Sequence, residues 1–465
     1  MMISRTPALA VTVAVAVAAV TVVVPPASAR PAAIDWHPCA PPGEAAASAD
    51  CATLRLPIDW ADPAAGTFGF AVARRTATDP SARVGTLIFG PGGPGDSGVE
   101  RVSTGQARFS EELRRRFDIV SFDPRGVGAS NPIKCPAVPP AAPAVLTGPA
   151  DFARTLADNR ARWQGCRQLT GPLFDHADSA STVRDLDALR AALGERTLTF
   201  HGSSYGSLLG ELYAERYPAR VRAIVLESVV DHSRRTDGFL RSQAWALQDS
   251  FDAFVDWCTP EQQACAVRDA DVRALWNDLM DLAGSGKLTL PAFQLVANAH
   301  KSLARADYPG LAGFIDTMRR GEQGDTQRLD PVVPVFCADW SLPVRDYDAY
   351  RGLLDRAEAQ APDVRYPAQV LALSTCLGWP QPVANPQHRL HVRTRTPLLL
   401  INARHDPATG YNWAREVASQ LGRHGVLLTY DGAGHGSYNR SDCMEQAVDA
   451  YLISLTVPPR GTVCR

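Results

Sequence analysis

Gly202-Ser203-Ser204-Tyr205-Gly206 sets a serine between two glycines, each two residues away. A short apolar run, Leu198-Thr199-Phe200, precedes it, and residues 207–217 read as a helix. Small residues around a serine let the chain reverse sharply from strand to helix. The turn lifts the hydroxyl clear of the sheet and aims a helix N-terminus at it. Ser204 is therefore the candidate nucleophile. The competing reading is an ordinary strand–helix loop, and the strand and helix on either side argue against it.

A serine hydroxyl needs a base within hydrogen-bond reach, a carboxylate to orient that base, and donors for the oxyanion that forms. The chain offers these in the order serine, acid, histidine. A strand at residues 398–401 leads to Asp406, and one at residues 426–430 leads to His435. His435 is assigned as general base and Asp406 as its orienting carboxylate. Asp431 and Asp442 compete for the acid; Asp431 reads as a turn residue making local backbone bonds. His201 and His405 read as structural. The backbone N–H of Tyr205 should form half of the oxyanion hole, with Gly93, or Gly92 behind it, supplying the other half. Gly90-Pro91-Gly92-Gly93-Pro94-Gly95 lacks the Gly-Lys-Ser/Thr ending of a phosphate loop.

These residues need a scaffold. Residues 53–59 and 68–75 read as a hairpin, and residues 85–89, 117–122 and 221–230 as further strands. Helices are predicted at about 99–116 and 152–168, and from Ser181 onward. Strands alternating with helices signal a mostly parallel sheet covered on both faces. From His232 to Arg395 no strand is predicted. There Leu240, Ala244, Leu247, Phe251 and Phe254 recur at helical spacing, as do Val272, Leu275, Trp276, Leu279 and Met280, while Phe314 and Met318 mark a shorter helix. Trp245, Trp257, Trp276, Trp340 and Trp379 read as core more readily than as pocket lining. A last helix is predicted at about 442–455. Asp123 and Arg125 read as a turn and a buried ion pair bracing the glycine-rich loop.

Arg5, an apolar run over residues 8–24, Pro25-Pro26 and Ala27-Ser28-Ala29 form a secretory leader, with cleavage predicted after Ala29. No later stretch is long and apolar enough to span a membrane, so no stable membrane insertion is expected. The chain carries ten cysteines and a formal net charge of −2. An even cysteine count behind a leader favours disulfides over metal ligation. Neighbours in sequence suggest Cys39 with Cys51, Cys135 with Cys166, Cys258 with Cys265, Cys337 with Cys376, and Cys443 with Cys464. Spacing alone leaves the connectivity open. Neither Cys-x-x-Cys nor His-Glu-x-x-His occurs, and no basic cluster marks a nucleic-acid partner.

Gly92-Gly93-Pro94-Gly95, the loop at residues 123–130, Gly202 to Gly206, and the pair Asp406 and His435 together resemble the secreted actinobacterial tripeptidyl aminopeptidases. These are α/β-hydrolases within the wider proline iminopeptidase family. The resemblance runs from Cys39 to Cys464. It departs in two places: Pro91 stands where a histidine is usual, and where the acid commonly opens Asp-x-x-Thr-Pro, Asp406 is followed by Pro407-Ala408-Thr409-Gly410. The resemblance implies an α/β-hydrolase core at residues 30–231 and 396–465, with a helical lid at residues 232–395. It implies a serine exopeptidase that binds a peptide with a free N-terminus, releases a short fragment such as a tripeptide, and needs no cofactor. Glu227, with Asp231, is the candidate partner of the substrate amine; a strand-end carboxylate bonded to a neighbouring loop is the competing reading. Two other functions remain open at this point. One is a carboxylesterase or lipase-like hydrolase on the same fold, and the other a non-catalytic binding protein on a hydrolase scaffold.

Overall fold

The computed structural model describes residues 1–2, 34–40, 48–105, 108–136, 144–322 and 334–465. The expected leader and its cleavage point lie outside these residues, apart from Met1 and Met2. Part of the Pro/Ala-rich stretch before Pro149 lies outside them too.

The described strands are β1 (His37–Pro38), β2 (Asp50–Pro57), β3 (Thr67–Arg75), β4 (Gly85–Gly90), β5 (Phe117–Phe122), β6 (Leu198–Ser203), β7 (Val221–Glu227), β8 (Leu398–His405), β9 (Gly425–Ala433) and β10 (Val463–Cys464). They form one sheet in the order β1-β2-β3-β5-β4-β6-β7-β8-β9-β10. The pairs β1/β2, β2/β3 and β3/β5 are antiparallel; all others are parallel.

Every residue of β4 is buried, as a central parallel strand covered on both faces requires. The period of two sorts its neighbours. Ile88, Ile224, Leu226, Leu398 and Leu400 pack on one face with Leu208 and Leu212 of the Tyr205–Arg216 helix. Leu87, Phe89, Val225, Leu399 and Ile401 pack on the other with Val448 and Leu452 of the Asp442–Ser454 helix.

Strand register decides where the chemistry sits. Gly90 pairs with Gly202, Ser203 with Glu227, Glu227 with Ile401, and His405 with Ala433. The loops that follow β4, β6, β7, β8 and β9 therefore emerge side by side at the C-terminal edge, where ligands meet parallel sheets.

Between β7 and β8 the described elements are all helical: Thr236–Trp257, Val272–Gly284, Ala292–Ala304, Tyr308–Arg319, Pro334–Asp339, Tyr347–Gln360 and Val370–Cys376. Leu247, Phe251, Trp276, Met280, Leu295 and Ile315 give this segment a hydrophobic core separate from those of the sheet. The five cysteine pairs suggested by sequence are the disulfides of the structure.

Several boundaries differ from expectation. The single helix predicted over 99–116 is two, Gly98–Ser103 and Glu111–Arg116. Gly105, at φ 70°, takes the chain out of the first, and the Ser110 hydroxyl caps the second. β7 stops at Glu227 because Ser228, at φ 53°, turns the chain. The helices Ala292–Ala304, Tyr347–Gln360 and Tyr411–Leu421 are not among those expected, although each buries apolar residues at helical spacing.

Asp123 and Arg125 do not pair with each other. Asp123 accepts from Ser97 Oγ, Val99 N and Ala129 N at 2.7, 3.0 and 2.8 Å, which ties the end of the glycine-rich loop to its neighbour. The Arg125 guanidinium instead meets Asp185 at 2.6 and 2.7 Å, with neither side chain exposed. Removing one partner of such a pair strands a buried charge. Arg125→Ala should lower the unfolding free energy by about 3–5 kcal/mol in denaturant titration. A loss below about 1 kcal/mol would show that the pair is dispensable.

Candidate active site

Ser204 sits at φ 56° and ψ −122°, a conformation that L-residues avoid, and the buried helix starts at the next residue. Close packing of the turn enforces the flanking glycines. A Cβ on Gly202 would lie 2.1 Å from the Gly206 carbonyl oxygen, and one on Gly206 2.2 Å from that of Gly90. The Ser204 N–H donates to the Glu227 carbonyl at 2.8 Å, which fixes the turn to β7.

Ser204 opens onto a cavity of about 530 Å³, shared with Tyr205, Gly92, Gly93, Thr409 and His435. As the first helical residue, Tyr205 has no carbonyl of its own helix for its N–H to reach. Gly92 packs against the nucleophile turn: a Cβ there would stand 3.1 Å from both Ser203 O and Ser204 Cβ. The residues proposed for an oxyanion hole thus lie beside the serine.

His435 follows β9, and its Nδ1 lies 3.0 and 3.1 Å from the two Asp406 oxygens. That leaves Nε2 as the nitrogen for a serine proton. Asp406 is fully buried, yet it accepts from Ala408 N, Thr409 N, Thr409 Oγ1 and Ser228 Oγ at 2.9 to 3.0 Å. Burial raises its pKa. The His435 charge and these hydrogen bonds outweigh that, and the net shift is downward. Burial pulls His435 down; the Asp406 charge and hydrogen bond win, and its pKa lies above the ordinary value.

The loop carrying His435 is pinned along its backbone. His435 N donates to Ala304 O at 2.7 Å, and Gly434 N to His405 O at 3.1 Å. Gly436 N donates to Ser228 Oγ, and Ser437 N and Tyr438 N to Glu227 Oε1, each at 2.9 Å.

Glu227 is consequently not a partner for a substrate amine. It is buried, lies outside the cavity lining, and is bonded by that loop, by His201 Nε2 at 3.0 Å and by Arg108. Asp231 is likewise buried and committed, to Ser233, Arg234 and Gln420. A strand-end carboxylate facing a loop rich in N–H groups binds the loop. His201 is buried against Glu227, and His405 pairs with Asp249 at 2.9 Å. Asp431 makes ion pairs with Arg404 and Arg465 rather than local backbone bonds. Asp442 lies in the first turn of the last helix.

Phe239, Phe336, Trp340 and Trp413 form an aromatic wall of the cavity, with Phe336 and Trp340 stacked at 5.5 Å. Of the tryptophans singled out by sequence, Trp340 alone lines this cavity. Trp257 and Trp276 pack in the helical segment, Trp379 against Trp163, and Trp245 beside a separate groove. Sequence reasoning missed Thr409, Ser228 and Trp413. The turn Asp406-Pro407-Ala408-Thr409 carried a signal for Thr409, since an aspartate bonds backbone N–H groups two residues on.

Glu227→Gln should lower kcat on a free-amine peptide anilide and on an amine-blocked ester by the same factor, because it loosens the His435 loop. A KM rise confined to the free-amine substrate would contradict this placement.

The chain matches the α/β-hydrolase fold family over residues 85–270 and the TAP-like protein family over residues 365–464. It is 30% identical to serine protease Hip1 of Mycobacterium tuberculosis, over 93% of this chain and 91% of that protein. It is 28% identical to the tripeptidyl aminopeptidase of Streptomyces lividans, over 94% and 88%. Carboxylesterase B of Mycobacterium tuberculosis is also 28% identical, over 90% and 86%.

Proposed function

The chain belongs to the α/β-hydrolase family, in its tripeptidyl-aminopeptidase-like branch, and on that premise we propose that it is a secreted serine exopeptidase. The observation that carries this reading is the strained serine opening onto the same cavity as an imidazole already bonded to a buried carboxylate.

Ser204 attacks the substrate carbonyl while His435 Nε2 takes its proton. Asp406 holds the ring by Nδ1 and stabilises the imidazolium that forms. The N–H groups of Tyr205 and of Gly93, or of Gly92 behind it, receive the oxyanion. His435 then protonates the leaving amine, and water releases the acyl fragment. The aromatic wall suits an apolar or prolyl side chain, and the helical segment over the site limits the length of peptide admitted.

Secretion fits the leader sequence, the five disulfides and the lack, among the described residues, of any helix long and apolar enough to cross a membrane. A carboxylesterase is the second reading, favoured by the likeness to carboxylesterase B and by the apolar wall.

A panel of aminoacyl, dipeptidyl and tripeptidyl p-nitroanilides, with free and blocked amines, separates the two. Turnover of free-amine tripeptidyl anilides supports the exopeptidase. Turnover of p-nitrophenyl esters alone supports the esterase. The base works as neutral imidazole, so a raised pKa means that activity is lost early as pH falls. The acid limb of kcat/KM should have its midpoint above about 6.5, the ordinary histidine value. Asp406→Asn removes the charge that raises it. The limb should move to lower pH while kcat drops by about 10⁴. An unmoved limb would remove Asp406 from the mechanism.

A further inference from the structure

The backbone of Tyr205 opens the helix behind the serine, its ring borders the cavity, and its hydroxyl donates to Asp339 Oδ2 at 2.6 Å. Asp339 ends a short helix of the segment inserted between β7 and β8, and its side chain is fully buried. It also accepts from Ser179 N at 2.8 Å, Ser179 Oγ at 2.6 Å and Asn385 Nδ2 at 3.2 Å. Its backbone carbonyl bonds His232 Nε2 at 2.8 Å, and the Cys337–Cys376 disulfide anchors the preceding turn. His232 and Asn385 come from opposite ends of the inserted segment, and Ser179 from the start of a core helix. The carboxylate is thus fixed from several directions before Tyr205 reaches it.

The strain at Ser204 makes such a fixed point consequential. A residue at an unfavoured φ/ψ stays there only when its surroundings over-determine it. The next residue is held through a rigid aromatic ring to an immobile acceptor, and the tether resists rotation of the peptide between them.

We propose that Asp339 is a positioning residue for the oxyanion hole: through the Tyr205 hydroxyl it sets the direction of the Tyr205 N–H. The inserted segment then shapes the catalytic centre as well as covering it. This inference rests on the serine-hydrolase reading above. Burial first, and Asp178 second, push the Asp339 carboxyl up to about 7, and the donated hydrogen bonds from Ser179 and Tyr205 counter them. The tyrosine is held well above its usual range by burial, then by Asp339, so its hydroxyl keeps its proton.

The test uses the full chain with Tyr205→Phe, Asp339→Asn and both together. Hydrolysis of p-nitrophenyl butyrate, inhibition by phenylboronic acid and the thermal midpoint are measured for each. Complete loss of an oxyanion donor costs about 10²–10³ in kcat, and a misaligned one should cost about tenfold. The expected result is a kcat loss near that size with KM within about twofold. Boronate binding should weaken by the same factor as kcat/KM. The double variant should be no worse than the poorer single one, because both substitutions cut the same tether. Tyr205→Phe leaves the other bonds of Asp339 in place, so it decides the matter even if Asp339→Asn fails to fold. If the parent enzyme is active and Tyr205→Phe keeps its kcat, or if the two losses multiply, the positioning role is wrong. A parent enzyme inert to the ester, the boronate and the free-amine tripeptidyl anilides alike would instead remove the hydrolase reading on which the inference stands.

Discussion

Asp406 is a fully buried carboxylate, and everything proposed for this site depends on its staying ionised there. An unpaired buried charge would be neutralised by a pKa shift. Four donated hydrogen bonds from Ser228, Ala408 and Thr409, with the His435 ring as a fifth partner, prevent that. Hydrogen-bonded buried carboxylates recur near this edge of the sheet. Asp123 gathers the glycine-rich loop, Glu227 gathers the loop after β9, and Asp339 gathers the helix behind the serine. Each is a buried carboxylate whose donors come from segments distant in sequence. The catalytic edge of the sheet is assembled on these acceptors.

The arrangement gives the helical segment a larger part than that of a cover. The Ala304 carbonyl, at the end of one of its helices, takes the N–H of His435, and Asp339 takes the hydroxyl of Tyr205. A helix C-terminus carries partial negative charge, which favours an imidazolium beside it. Displacing the segment would disturb the base and the serine turn together. Its separate hydrophobic core, around Phe251, Trp276 and Ile315, allows it to hold its shape while packed on the sheet.

What the sequence disclosed follows from how local each signal is. The serine turn is written within five residues, and its glycines are required by contacts of about 2 Å, so it could be read directly. The succession of strands along the chain and the chain order of serine, acid and histidine follow from apolar runs. The ends of those strands were harder. Ser228 turns the chain by taking φ 53°, which no periodicity announces. Glu227 was misread for a related reason: its partners, Arg108, His201, Ser437 and Tyr438, are scattered over more than 300 residues, and only the register of β6, β7 and β8 brings them together. Trp413, Ala414, Val417 and Leu421 lie at helical spacing on one buried face, a signal the sequence carried and the reading above did not use.

Treating the purified protein with a fluorophosphonate, then measuring intact mass and mapping the labelled peptide, tests the central claim most directly. The account predicts one equivalent of adduct, on Ser204, and none when His435 is replaced by alanine. An unlabelled protein, or a stable adduct on any other residue with Ser204 untouched, would contradict it.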